Sequence, residues 1–139
     1  MIGHYHLEDM IDAFDNYCLR RILGISYRDH ITNATVRRRS GFPPKLSQLV
    51  QTRRLCFFGH AVRMHPSLDI SRALRVSVRG LPRDWKRPPG RPRHTWPRSV
   101  EADLLPLNLG LNAAWRLAQK RTRWRLFMET ATLQSAACS

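Results

Sequence analysis

Residues 79–94 constrain the fold more than any other stretch of this chain. Pro82, Pro88, Pro89 and Pro92 fall within sixteen residues, together with Gly80 and Gly90. Proline lacks the N–H that a helix or sheet needs, and glycine loses the most backbone freedom on ordering, so no regular element is expected there. Into the same stretch crowd six basic residues, Arg79, Arg83, Lys86, Arg87, Arg91 and Arg93, beside the single acid Asp84. An extended basic linker is therefore expected, with helical segments on either side.

The flanking sequence has helical periodicity, and the expected fold class is mainly α. Leu7, Met10, Ile11, Phe14, Tyr17 and Cys18 share one face of a helix over 7–23, opposite Glu8, Asp9, Asp12 and Asp15. Gly24 is its natural stop. A short helix starts at a Thr32 or Asn33 cap, passes through Val36 to Arg39, and halts before Gly41 and Pro43. A third spans Leu46 to Met64, its second half the most apolar. Gly59 lies inside it, at about 1 kcal/mol relative to alanine, which predicts close approach of another helix. Ser71–Val78 reads as a short helix or a strand, with helix preferred. Further helices are expected from Trp96 or Pro97 to Leu105, ended by Pro106, and from Asn112 to Glu129. In the last, Leu111, Trp115, Ala118, Thr122 and Leu126 form the inner stripe, and Arg116, Lys120, Arg123 and Phe127 a basic face. The expected organisation is a small helical body over 1–66, an irregular linker over 67–94, a C-terminal helical pair over 95–130 and a disordered tail over 131–139.

Charge narrows the function. The 139 residues hold 24 Lys and Arg against ten Asp and Glu, a formal +14. Residues 1–19 contain four acids and no Lys or Arg, so residues 20–139 carry 24 positive charges against six negative ones, a balance of +18. Such a field condenses polyanions, and arginine grips phosphate bidentately. Nucleic acid, RNA or DNA, is the expected partner; a basic surface without a specific ligand is the plainer alternative. The expected phosphate contacts are Arg79, Arg83, Lys86, Arg87, Arg91 and Arg93, with Arg37, Arg38 and Arg39 as a second patch. Gly90, Arg91 and Pro92 make the kernel of a minor-groove hook, although a solvated hinge accounts for so short a match equally well. Trp85 and Trp96 flank the basic run. Trp85 is balanced between base stacking and packing, whereas Trp96, Trp115 and Trp124 read first as packing residues.

Other chemistries lack their residues. Cys18, Cys56 and Cys138 are odd in number and far apart, which argues against a disulfide framework and for an intracellular setting, nucleus or cytoplasm. Cys56, His60 and His65 make half a zinc site without the remaining ligands, so no metal is expected and His60 reads as a helix-interface residue. There is no glycine-rich phosphate loop, metalloprotease helix or nucleophile elbow, and no carboxylate cluster to hold catalytic metal ions. Neither catalysis nor a cofactor is expected. No apolar run is long enough for a membrane span, and acids occupy the place of a signal peptide's positive region.

Several stretches in series resemble the C-terminal region of non-LTR (LINE-like) retrotransposon reverse transcriptase polyproteins, the part after the polymerase domain. They are Cys18–Ile25; Asp29–Asn33 with Val36 and Arg38–Gly41; Arg53–Leu55 with Gly59, His60, Arg63 and Met64; Gly90–Arg93 with Trp96; Asp103 and Leu104; and Trp115 with Arg121, Trp124 and Arg125. Family members often carry Arg-Trp before the Gly-His pair, where this chain has Phe57 and Phe58. The resemblance implies reverse transcription and integration for a parent polyprotein whose polymerase and endonuclease domains are absent here. For this fragment it implies an accessory grip on template RNA or target DNA beside the missing polymerase domain. A structural or interaction protein, resembling an arginine-rich ribosomal protein or a decayed fragment, is the rival reading. A helix-turn-helix reader using residues 33–40 is a third.

Overall fold

The computed structural model describes the backbone of residues 2–80, 82–86, 88–90 and 95–137, with side chains described from residue 7 to residue 131 within those ranges. Among these residues the chain is mainly α, with seven helices: α1 (Ile2–Ile22), α2 (Asn33–Arg39), α3 (Leu46–Val62), α4 (Asp69–Arg79), α5 (Trp96–Leu104), α6 (Leu111–Ala118) and α7 (Arg121–Ala137). They form two compact units, residues 1–51 and 52–139, whose boundary falls inside α3.

The local stop and start signals act where expected in the first unit. Thr32 caps α2 by accepting a hydrogen bond from the Thr35 amide, and Val36 is fully buried. At the ends of α1 and α2 a glycine takes the left-handed conformation, Gly24 at φ 66° and Gly41 at φ 83°. The next residue's N–H then reaches back: Ile25 to the Arg20 carbonyl and Phe42 to the Arg37 carbonyl, each at 2.9 Å. These bonds satisfy carbonyls that the helix end leaves open.

What α1 turns inward overturns the periodicity argument. Four residues of its expected inner face are exposed, Leu7 by 53%, Met10 by 57%, Phe14 by 60% and Tyr17 by 58%, while Ile11 and Cys18 are half-buried. The acidic side is the one engaged. Asp15 pairs with Arg37 and also accepts from the Leu46 amide at 3.4 Å, while Asp12 accepts from the Ser47 amide at 3.2 Å. The reason is a shortage at the start of α3. Lys45, just before it, has no side-chain acceptor, and unpaired N–H groups at the positive end of a helix need an acceptor or an anion. Two carboxylates of α1 supply both. Arg20 completes the arrangement by donating to Asn33 Oδ1 at 2.9 Å and to the Ile31 carbonyl.

The second unit holds the main core. Leu55, Phe58, Ala61 and Val62 of α3 bury with Leu74 of α4, Val100 and Leu104 of α5, Ala114 and Ala118 of α6, and Trp124 and Met128 of α7. Each large side chain so buried contributes about 1.5–3 kcal/mol. Phe58 contacts Trp124 at 5.6 Å and Trp96 at 6.4 Å between ring centroids, and Trp124 contacts Phe127 at 5.4 Å. Gly59 is buried and the Trp124 indole lies directly over it, the close helix approach predicted from a mid-helix glycine. One polar pair enters this core. Asp103, almost fully buried, accepts from Arg54 at 2.7 Å.

Several expected boundaries are corrected. The first compact unit ends at residue 51 rather than 66, because the second half of α3 shares its core with later helices. The expected linker over 67–94 begins later, since α4 occupies Asp69–Arg79 and buries Ser71 and Leu74. The C-terminal pair is three helices, and α7 continues to Ala137 through most of the expected tail. The single helix expected over 112–129 is broken at Gln119 and Lys120. Arg63 fixes that break, its Nη1 donating to the Ala118 carbonyl at 2.7 Å. The break shifts the inward register. Trp124 and Met128 are buried, whereas Thr122 and Leu126 of the expected inner stripe are exposed and Trp115 is half-buried.

Candidate nucleic-acid interface

The charge is unevenly divided between the two units. Residues 1–51 hold seven Lys and Arg against five acids; residues 52–139 hold 17 against five, a balance of +12. Of the acids in the second unit, Asp103 is committed to Arg54 and Glu129 to Arg125 at 3.0 Å. Asp69 lies 3.6 Å from Arg72, with both side chains largely exposed. The second unit is thus a basic surface with few acids left to neutralise it, which raises the local concentration of any polyanion.

The expected contact residues do not gather into one patch. Arg83, Trp85 and Lys86 are exposed, in a non-helical stretch that follows α4. Arg79 is the last residue of α4 rather than part of the linker, because the helix runs up to Gly80. Arg87, Arg91 and Arg93 lie outside the described residues, and with them the expected minor-groove hook. In the first unit Arg38 and Arg39 are exposed at the end of α2, but Arg37 is withdrawn from the expected second patch. It pairs with Asp15 and donates to the Pro43 carbonyl at 3.1 Å. The expected face of Arg116, Lys120 and Arg123 does not form, since the chain break puts Arg116 on α6, Lys120 in the turn and Arg123 on α7.

A more defined feature lies between α3 and α7, in the second unit. It is a groove of about 660 Å³ lined by Thr52, Cys56, Arg63, Arg121, Trp124, Arg125, Met128 and Glu129. That volume falls within the range of about 300–1,000 Å³ usual for small-ligand sites. Thr52, Cys56, Gly59 and Arg63 follow one another along a single stripe of α3. Gly59 meets Trp124 and Arg63 meets Arg121, so the two helices run antiparallel, with Arg63 and Arg121 at one end and Thr52, Cys56, Met128 and the Arg125–Glu129 pair toward the other. Burial, and then the neighbouring Arg121 guanidinium, lower the pKa of Arg63 from its ordinary value. Both causes disfavour the cation. Trp124 Nε1 is buried with no hydrogen-bond acceptor among the described residues. Sequence reasoning did not bring these residues together, because they come from positions some sixty apart; the motif series names Arg63, Arg121, Trp124 and Arg125 separately, and Gly59 foretold a close contact but not its partner.

His60 is exposed, a correction to its expected place at a helix interface, and Cys56 is exposed as well. Among the described residues no three His, Cys, Asp or Glu side chains gather into a metal-ligating group. No helix among them is long and apolar enough to cross a membrane. No protein-family model, curated protein or solved structure matches the chain.

Proposed function

We propose that this chain is a basic, non-catalytic nucleic-acid-binding piece that works inside the cell, gripping RNA or DNA through phosphate contacts. In this reading it derives from the region after the polymerase domain of a retrotransposon polyprotein, as the motif series suggests. The supporting observation is the +12 balance of residues 52–139, with exposed Arg83, Trp85 and Lys86 on a non-helical stretch that turns over Pro82–Trp85. Affinity then comes mainly from counterion release, and log K falls with log salt in proportion to the phosphates neutralised. The test is a salt titration of binding to single- and double-stranded probes. Replacing Arg91 and Arg93 together by alanine is expected to flatten the slope by about two units, and Arg83 with Lys86 by a similar amount. No binding at low ionic strength sinks the reading.

The exposed seam of Leu7, Met10, Phe14 and Tyr17 favours a second reading, a fragment whose apolar face is covered by the polymerase domain of its parent. A cooperative, monomeric chain in isolation that ignores nucleic acid would point to such a protein partner. Aggregation relieved by adding that domain would do the same.

A further inference from the structure

The groove between α3 and α7 is lined by three arginines, Arg63, Arg121 and Arg125, and, among the described residues, by one acid. Arg121 opens α7, and the first turn of that helix contains no acid. Its unpaired N–H groups and the positive end of its dipole add to the guanidinium charge. Arg63 stands beside Arg121, partly buried and held in place by the Ala118 carbonyl. The one acid lining the groove, Glu129, is taken by Arg125. Two guanidinium groups forced together at a helix N-terminus, one of them partly buried, are stabilised by a bound anion.

The remainder of the groove is a different environment. Cys56, Trp124 and Met128 make an apolar trough, in which the Trp124 indole is held with its Nε1 edge against Gly59 rather than toward the opening. The ligand that fits has an anionic group at one end and a flat, largely apolar body at the other. A nucleotide has this form. A base reaches the trough only if it is unpaired, because a paired base is held within its stack.

We propose that the end of this groove formed by Arg63, Arg121 and the first turn of α7 binds a strand phosphate, and that the trough of Cys56, Trp124 and Met128 receives an adjoining unpaired base. This rests on the nucleic-acid reading and sharpens it: the chain prefers single strands, or unpaired positions, to continuous duplex. Phe58 and Phe127 lie against Trp124, so the base meets the edge of the indole and the Met128 side chain rather than an open aromatic face.

The experiment uses the full chain and three fluorescent probes of one length: a thymidine single strand, the same strand with abasic sites, and the duplex. Two variants accompany the wild type. Arg121→Gln removes one cation, and Cys56→Trp fills the trough at an exposed position, with thermal melting confirming that each stays folded. The wild type is expected to bind the intact strand about fivefold or more above the abasic strand. Cys56→Trp should erase that preference, and Arg121→Gln should reduce the single-strand salt slope by about 0.7. Wild-type binding that both variants leave unchanged would overturn the groove while leaving the general reading in place. Absence of binding to all three probes would overturn both. Binding of poly-glutamate instead, lost in the same two variants, would assign the groove to an acidic protein and overturn the proposal.

Discussion

Gly59 and Trp124 occupy each other's space: a Cβ on residue 59 would lie 3.0 Å from Trp124 Cε2 and closer still to Nε1 and Cδ1. The indole has little room to retreat, since Phe58 and Phe127 lie against it. Gly59→Ala therefore sets a helix-propensity gain of about 1 kcal/mol against an overpacked core. The clash is expected to win, with a net loss of about 1–3 kcal/mol and a lower urea midpoint. An unchanged or raised midpoint would show that α3 and α7 do not meet at this point.

The ion pair of Arg54 with Asp103 is sensitive in a different way. Asp103 is 3% exposed, so removing Arg54 takes a charge-assisted hydrogen bond from a buried carboxylate. Arg54→Leu is expected to cost about 1.5–3 kcal/mol. The double variant with Asp103→Leu should cost less than that single change, because the buried charge is removed as well. Both numbers come from one chemical denaturation series at neutral pH; equal losses in the single and double variants would contradict the argument.

Asp15 holds α2 through Arg37 and the start of α3 through the Leu46 amide. Asp15→Ala should cost about 1–3 kcal/mol from these charge-assisted bonds and leave Arg37 without its counter-ion. Hydrogen exchange of the α2 amides is expected to speed up. In the same variant, nucleic-acid binding should steepen with salt as the freed guanidinium joins the interface.

Phe14→Lys separates the two accounts of α1. Burial of the apolar seam predicts a loss of several kcal/mol, as for any charge placed in a core. With Phe14 60% exposed, the expected change is within about 0.5 kcal/mol. A thermal melt of the isolated variant decides between them, and a large loss would mean that the seam is covered.

What can be read from the residues alone is what depends on near neighbours. The mainly α class, the span of α2 from its Thr32 cap to the Gly41 stop, the end of α1 at Gly24 and the proline-bound stretch after Gly80 all follow from rules acting over a few residues. Gly59 also announced a close contact, because an unexplained mid-helix glycine has a cost that something must offset. Tertiary structure decided the rest. Periodicity finds that α1 has an apolar side but not that α3 needs carboxylates at its start, a need met by Asp12 and Asp15 from far along the chain. It cannot place the break at Gln119, which depends on Arg63 reaching the Ala118 carbonyl, nor bring Arg63 beside Arg121. Local propensities are blind to such pairings, because a charge or an open helix end is answered by whichever group the packed chain delivers.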